Sequence, residues 1–445
     1  MSTTALSAGE LARADAPRLL TELPGPKARA LVERDARVTS PSLPRAYPLV
    51  PARAAGCVVE DVDGNLLLDF NAGIAVTSTG HAHPEVVEAI RRQAGELLHF
   101  SASDFYLPVY VELCERLAAL FPGPGPARVF LTNSGTEAVE AAVKLARWHT
   151  GRQYVIAFFG SFHGRSYGSA SLTASKARYR ARFGPLLPGV LHAPYADSFR
   201  PNLGASDWDF PTASYLEGVL FERLVDPAEV AAIVVEPIQG EGGYVVPPPG
   251  WLAALRELCD RHGILLVADE VQSGIGRTGR MWAVEHEGVE PDVVVAGKGI
   301  ASGMPLGAML AREEVATWTP GTHGSTYGGN PVACAAALAT LRLVEDGLAA
   351  GAERTGERLL AGLRELASRR EAIRDVRGRG LMVGVELADH DTAAAVEQEC
   401  FRRGLLVLGA GDAAIRLSPP LVVTDAQVDR ALELFAAACA DEAAP

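Results

Sequence analysis

Lysine is scarce in this chain, and its four copies (Lys27, Lys144, Lys176 and Lys298) differ sharply in setting. Lys298 directly follows the apolar run VVVA-Gly297, where burial at a strand end disfavours the ammonium and leaves a nucleophilic amine. Lys27 lies in an irregular N-terminal stretch, Lys144 in the helical pattern EAVEAAVKLARWH and Lys176 in the polar stretch TASKARYR, so only Lys298 reads as chemical. A second charge sits in the same kind of place: Asp269 and Glu270 follow ILLVA, and a carboxylate buried there needs a cationic partner. RVFLT runs into Asn133-Ser134-Gly135-Thr136-Glu137 and a long helix, which puts free backbone amides and hydroxyls at a helix N-terminus, a cradle for phosphate. Alone, such a motif is more often a plain N-cap. QYVIAFF is followed by Phe162, His163 and Arg165, a ring, an imidazole and a guanidinium that suit a flat ligand but also suit an ordinary loop. AAIVV leads into Glu236 and then a glycine-rich turn carrying Glu241.

These residues need a scaffold that brings strand ends together. Between Arg128 and Leu310, short β-branched runs alternate with helical patterns, and the strands are continuously apolar, as in a mostly parallel sheet covered on both faces. In such a wound α/β domain, ligands collect outside the carboxyl ends of the strands, where all five polar junctions fall. Upstream, residues 1–51 read as an arm or short helices, Cys57 to Phe70 as a hairpin turning at Asp63-Gly64-Asn65, and the segment from Pro84 as a helix. Downstream of Pro331, amphipathic helices and the strand-like LMVGVEL and AIRLSPPL suggest a smaller α/β lobe. The expected division is an N-terminal arm and part of the small domain over 1–70, a large ligand-binding domain over 71–330, and a C-terminal small domain over 331–445. Residues Tyr195 to Tyr215 read as an irregular surface excursion.

Composition excludes other classes. With 41 Lys and Arg against 54 Asp and Glu, the formal charge of −13 argues against nucleic acid or an anionic membrane as partner. No run approaches the roughly 18–20 apolar residues of a membrane span, and the opening residues lack a signal-peptide pattern, so the chain reads as soluble and cytoplasmic. The six cysteines are dispersed among apolar neighbours, and neither they nor His81 and His83 beside Pro84 make a metal site. Gly274, Gly276 and Gly279 satisfy G-x-G-x-x-G, but no helix opens there, so the dinucleotide reading fails on context.

Phosphate cradle, stacking ring, buried acid and reactive lysine together are the requirements of pyridoxal phosphate. The sequence resembles the class III aminotransferases, fold-type I enzymes that include those for 4-aminobutyrate, ornithine and acetylornithine. The resemblance runs from about Arg45 almost to the C-terminus. It rests on SGTEA (Ser134 to Ala138), FHGR (Phe162 to Arg165), EPIQGEGG (Glu236 to Gly243), ADEVQSGIGRTG (Ala268 to Gly279), AGKGI (Ala296 to Ile300) and STYGGNP (Ser325 to Pro331).

By that resemblance, Lys298 is the Schiff-base lysine and proton carrier, and Asp269 pairs with the ring nitrogen. Gln272 approaches the phenolic oxygen, while Val271 and Phe162 cover the two ring faces with His163 nearby. Ser134, Gly135 and Thr136 hold the phosphate, which Thr326 of a neighbouring subunit completes, implying a homodimer with shared sites or a tetramer. Arg416 takes an α-carboxylate, Glu241 neutralises it when none is present, and Arg165 holds a distal carboxylate. The implied partners are an amino acid and an oxo acid. The implied reaction is ping-pong transfer of an amino group from an ω-amino or diamino acid to 2-oxoglutarate. Asp104 in SASDFY departs from enzymes for 4-aminobutyrate, and acidic residues there resemble archaeal racemases and epimerases. It reads either as a solvated loop residue or as a holder of a distal ammonium, and a racemase or epimerase on the same scaffold is the alternative.

Overall fold

The computed structural model describes residues 6–200 and 212–441. Its centre is a seven-stranded sheet in the order Ala127–Thr132, Gly307–Arg312, Val293–Ala296, Leu265–Asp269, Val230–Val235, Tyr154–Phe158, Val190–Ala193. All neighbours pair in parallel except Gly307–Arg312, which runs antiparallel to both of its neighbours. Continuous apolarity marked this strand as buried but carried no information about its direction.

The strands are apolar throughout because both faces are covered. Ile156, Phe158, Ile233 and Leu266 point into one core, with Leu255 and Leu258 of helix Trp251–His262. Val155, Val234, Val267 and Val295 point into the other, beneath helix Gly135–Thr150. That helix lies close to the sheet because its buried stripe is largely alanine, including Ala138, Ala141, Ala142 and Ala146. Gly151, at a φ of 69°, ends it in the left-handed conformation that glycine adopts without strain.

Outside that sheet, segments near the two ends of the chain build two four-stranded sheets. Val58–Asp61 and Leu66–Asp69 form the expected hairpin, and Leu66–Asp69 also pairs in parallel with Leu405–Leu406. A second sheet, in the order Ile373–Arg379, Met382–Leu387, Ala414–Leu417, Leu408–Ala410, is antiparallel. Helices Ala8–Ala12 and Pro26–Val38 occupy the N-terminal stretch. Helix Pro331–Leu343 packs on Pro84–Glu96 and Pro108–Ala119, each of the three opening with proline at its first turn. No helix among the described residues is long and apolar enough to cross a membrane.

Part of the expected excursion, residues 201–211, lies outside the described residues. Its first residue is not at the surface. Tyr195 is buried, and its hydroxyl donates to the carbonyls of Glu236 and Pro237.

Candidate active site

The strand ends and the sheet that carries Ala414–Leu417 border a cavity of about 500 Å³ lined by Phe162, Arg165, Glu241, Gln272, Lys298 and Arg416, among others. Strand Val293–Ala296 delivers Lys298 through Gly297, and the lysine adopts a φ of 42°, a left-handed conformation that side chains disfavour. Burial pushes its ammonium pKa below the usual lysine value, while Asp269 and Glu236 pull the other way.

Two glycines hold the lysine turn against the helix N-terminus. A Cβ on Gly297 would come within 3.2 Å of the Gly135 backbone, and one on Gly135 within 2.7 Å of Val271. The cradle, Val271 and the lysine turn are therefore in direct contact, an approach that larger residues would block. Gly135 and Thr136 occupy the first helical positions, whose N–H groups have no acceptor inside the helix. Ser134 caps that helix, its Oγ accepting from Glu137 N at 3.4 Å, and Thr136 Oγ1 lies 2.8 Å from Ser166 Oγ.

Asp269 ends strand Leu265–Asp269, and its expected partner includes an imidazole: His163 Nδ1 lies 2.6 Å from Asp269 Oδ2. Burial works against charge on His163, but the bond to Asp269 outweighs it and the imidazole pKa is raised. Glu236 supports the same loop, accepting from Phe162 N and Gly240 N, each at 2.8 Å. Burial raises its carboxyl pKa. Gln272 Oε1 accepts from Tyr244 Oη at 2.9 Å.

The other wall is ionic. Arg416, buried in strand Ala414–Leu417, directs Nη1 to Glu241 Oε2 at 3.3 Å. Burial alone would raise the Glu241 pKa, but Arg416 and Lys176 hold it below the usual carboxylate value. Arg165 is exposed to the cavity, its guanidinium 5.3 Å from the centre of the Phe162 ring and 5.1 Å from that of Tyr179.

Two residues do more than their local sequence suggests, and others stand outside the cavity lining. Lys176 is not an incidental surface lysine: it lines the cavity and lies 3.3 Å from Glu241 Oε1, which also accepts from Tyr179 Oη at 2.9 Å. The polar stretch around Lys176 and Tyr179 gave no sign of this, because only the turn after helix Tyr167–Leu172 brings it inward. His163, expected beside the ring, is also bonded to Asp269. Asp104 and Thr326 are exposed and, like Ser134, Gly135, Thr136, His163, Asp269 and Val271, do not line the cavity. Asp104 accepts from Ser101 Oγ at 2.6 Å, and Ser103 Oγ donates to the Ser325 carbonyl at 2.9 Å, so the two segments adjoin. The glycine triplet has a different use: Arg277 within it is buried and donates to the Leu381 carbonyl at 3.1 Å and to that of Pro419. His81 Nε2 lies 2.7 Å from Asp69 Oδ2.

The cavity fits pyridoxal phosphate. An amine whose pKa burial lowers stands against a helix N-terminus, a buried carboxylate lies at the neighbouring strand end, and His163 Nε2 and Arg416 Nε are buried without a partner among the described residues. The comparisons agree. The family described as Aminotransferase class-III matches residues 41–439. A 4-aminobutyrate aminotransferase of Mycobacterium tuberculosis is 41% identical over 95% of this chain and 98% of its own length. An alanine/serine racemase of Pyrococcus horikoshii is 38% identical over 96% and 93%. A solved ornithine aminotransferase of Toxoplasma gondii, described with partial occupancy of PLP at its active site, superposes with a TM-score of 0.84 at 33% identity, covering 99% of this chain and 98% of that one. This chain belongs to the class III aminotransferases, enzymes of fold-type I whose cofactor is pyridoxal phosphate.

Proposed function

We propose that the enzyme moves an amino group from an ω-amino acid such as 4-aminobutyrate, or from a diamino acid, to 2-oxoglutarate in two successive half-reactions. The observation that carries this reading is the Glu241–Arg416 pair facing the same cavity as Arg165. Two arginines suit a dicarboxylate, and a glutamate on one of them lets that site be masked for a substrate with a single carboxylate.

Bound pyridoxal phosphate supplies an aldehyde for the amino group and a ring that accepts electrons from the substrate carbon. Lys298 Nζ takes the proton from the carbon that bears the amino group, a task suited to an amine whose pKa is lowered. Asp269, steadied by His163, would pair with the ring nitrogen. Phe162 and Val271 would hold the ring between them, Gln272 would take its phenolic oxygen, and Ser134, Gly135 and Thr136 would hold the phosphate. Arg165 holds the distal carboxylate, and Arg416 receives an α-carboxylate once Glu241 withdraws.

In this reading the exposed Thr326 completes the phosphate site of a second copy, so the working unit is a homodimer. Likeness to the Pyrococcus racemase supports a second reading, interconversion of amino-acid enantiomers on the same scaffold. Asp104 would serve it only where a second copy carries that residue to the cavity mouth. A screen of amino donors with 2-oxoglutarate, run beside chiral analysis of α-amino acids without any oxo acid, tests both. Donor-dependent formation of glutamate is the expected result. Racemisation without an oxo acid, and no glutamate, overturns the first reading in favour of the second.

A further inference from the structure

Glu241 divides its oxygens between two sides of the cavity. Oε2 faces Arg416 of strand Ala414–Leu417 at 3.3 Å. Oε1 accepts from Tyr179 Oη at 2.9 Å and faces Lys176 Nζ at 3.3 Å, both from the segment that follows helix Tyr167–Leu172. We propose that Lys176, with Tyr179, retains Glu241 when Arg416 turns to a substrate α-carboxylate, making Lys176 a positioning residue that sets the choice between one- and two-carboxylate substrates. The inference rests on the functional reading above, in which Arg416 changes partners.

The argument is one of charge compensation. A carboxylate that loses its guanidinium in a half-buried cavity, just as a second carboxylate arrives, is strongly disfavoured unless another cation faces it. Lys176 meets that need cheaply, because its side chain is 25% exposed and keeps part of its hydration. Tyr179 fixes the direction of withdrawal. Its ring also lies 5.1 Å from the Arg165 guanidinium, so the group that retains Glu241 borders the proposed distal-carboxylate site. Without Lys176, Arg416 would be the principal cation left to Glu241, and a dicarboxylate would have to compete with that closed pair.

The test uses the holoenzyme and its Lys176→Met variant. Single-turnover rates are measured with glutamate and with 4-aminobutyrate, and calorimetry gives the Kd of glutarate, which has two carboxylates and no group that reacts. Glutamate turnover should fall at least about tenfold further than 4-aminobutyrate turnover, and the glutarate Kd should rise by a similar factor. Lys176→Arg should recover most of both. In a Glu241→Gln background the same change should lose its selectivity, since no charge remains to be retained. Equal losses with the two donors, or an unchanged glutarate Kd, overturn the inference. A wild-type enzyme inert to both glutamate and 2-oxoglutarate overturns the functional reading first, and the inference falls with it.

Discussion

His163 Nδ1 and Asp269 Oδ2 lie 2.6 Å apart with both side chains buried, so the imidazole and the carboxylate act as one unit at the end of strand Leu265–Asp269. Replacing Asp269 with Asn keeps the shape but removes the negative charge that raises the His163 pKa and faces the ring nitrogen. Asp269→Asn should therefore retain cofactor and lose about a hundredfold or more in kcat. Absorbance gives cofactor content and steady-state kinetics gives the rate. Near-wild-type turnover at full occupancy would refute the assignment.

Lys298→Ala should reduce turnover to background and leave the cofactor unlinked to the chain after borohydride treatment. Each of the other three lysines is engaged with another group. Lys144 Nζ lies 2.8 Å from His323 Nδ1, Lys27 donates to the Val62 carbonyl at 3.1 Å, and Lys176 is engaged with Glu241. Mass spectrometry of the reduced protein checks this, and an adduct retained by the variant would contradict it.

The cofactor side of the cavity was legible because burial leaves a mark on sequence. A lysine or aspartate directly after four or five apolar residues must be either costly or chemical, and Lys298 and Asp269 stand in that position. Pairings across the fold left no such mark. Asp269 meets His163 over a separation of 106 residues, and Glu241 finds Arg416 only because strand Ala414–Leu417 packs beside the turn that follows Val230–Val235. Lys176 sits among polar neighbours that read as solvated, and its inward turn is a tertiary event. Strand direction was equally silent, since Gly307–Arg312 is as apolar when antiparallel as it would be when parallel.

Glu270 gives the fold a pH dependence separate from catalysis. It is fully buried, accepting from Val284 N at 2.9 Å and from Ser273 Oγ, and burial pushes its pKa up to about 7. A carboxyl raised in the folded state contributes stability that is complete below its unfolded pKa and is lost as pH rises through the folded value. Glu270→Gln can keep both contacts, because the serine hydroxyl can turn to accept from the amide. Between pH 4.5 and 8, the stability difference should shift in the variant's favour by up to about 3 kcal/mol. Chemical denaturation of both proteins across that range measures it, and a difference independent of pH would refute the raised pKa.

The two arginines should separate the half-reactions. In the proposed reading, 4-aminobutyrate brings one carboxylate, to Arg165, and finds Arg416 already neutralised by Glu241. Glutamate brings two and needs both arginines. Arg416→Ala should therefore damage the glutamate half-reaction far more than the 4-aminobutyrate half-reaction, and the freed Glu241 still has Lys176 at 3.3 Å. Arg165→Ala should impair both, because each substrate has a distal carboxylate. Losing one charge-assisted pair while its partner stays desolvated costs about 2–5 kcal/mol, so the asymmetry should be about thirtyfold or more. Single-turnover rates with each amino donor measure it directly. Equal losses from Arg416→Ala would mean that the α-carboxylate has another holder. If no 4-aminobutyrate half-reaction exists and α-amino acids lose their chirality without any oxo acid, the Arg416 cation instead serves a racemase, and Asp104→Asn should then weaken turnover of cationic amino acids alone.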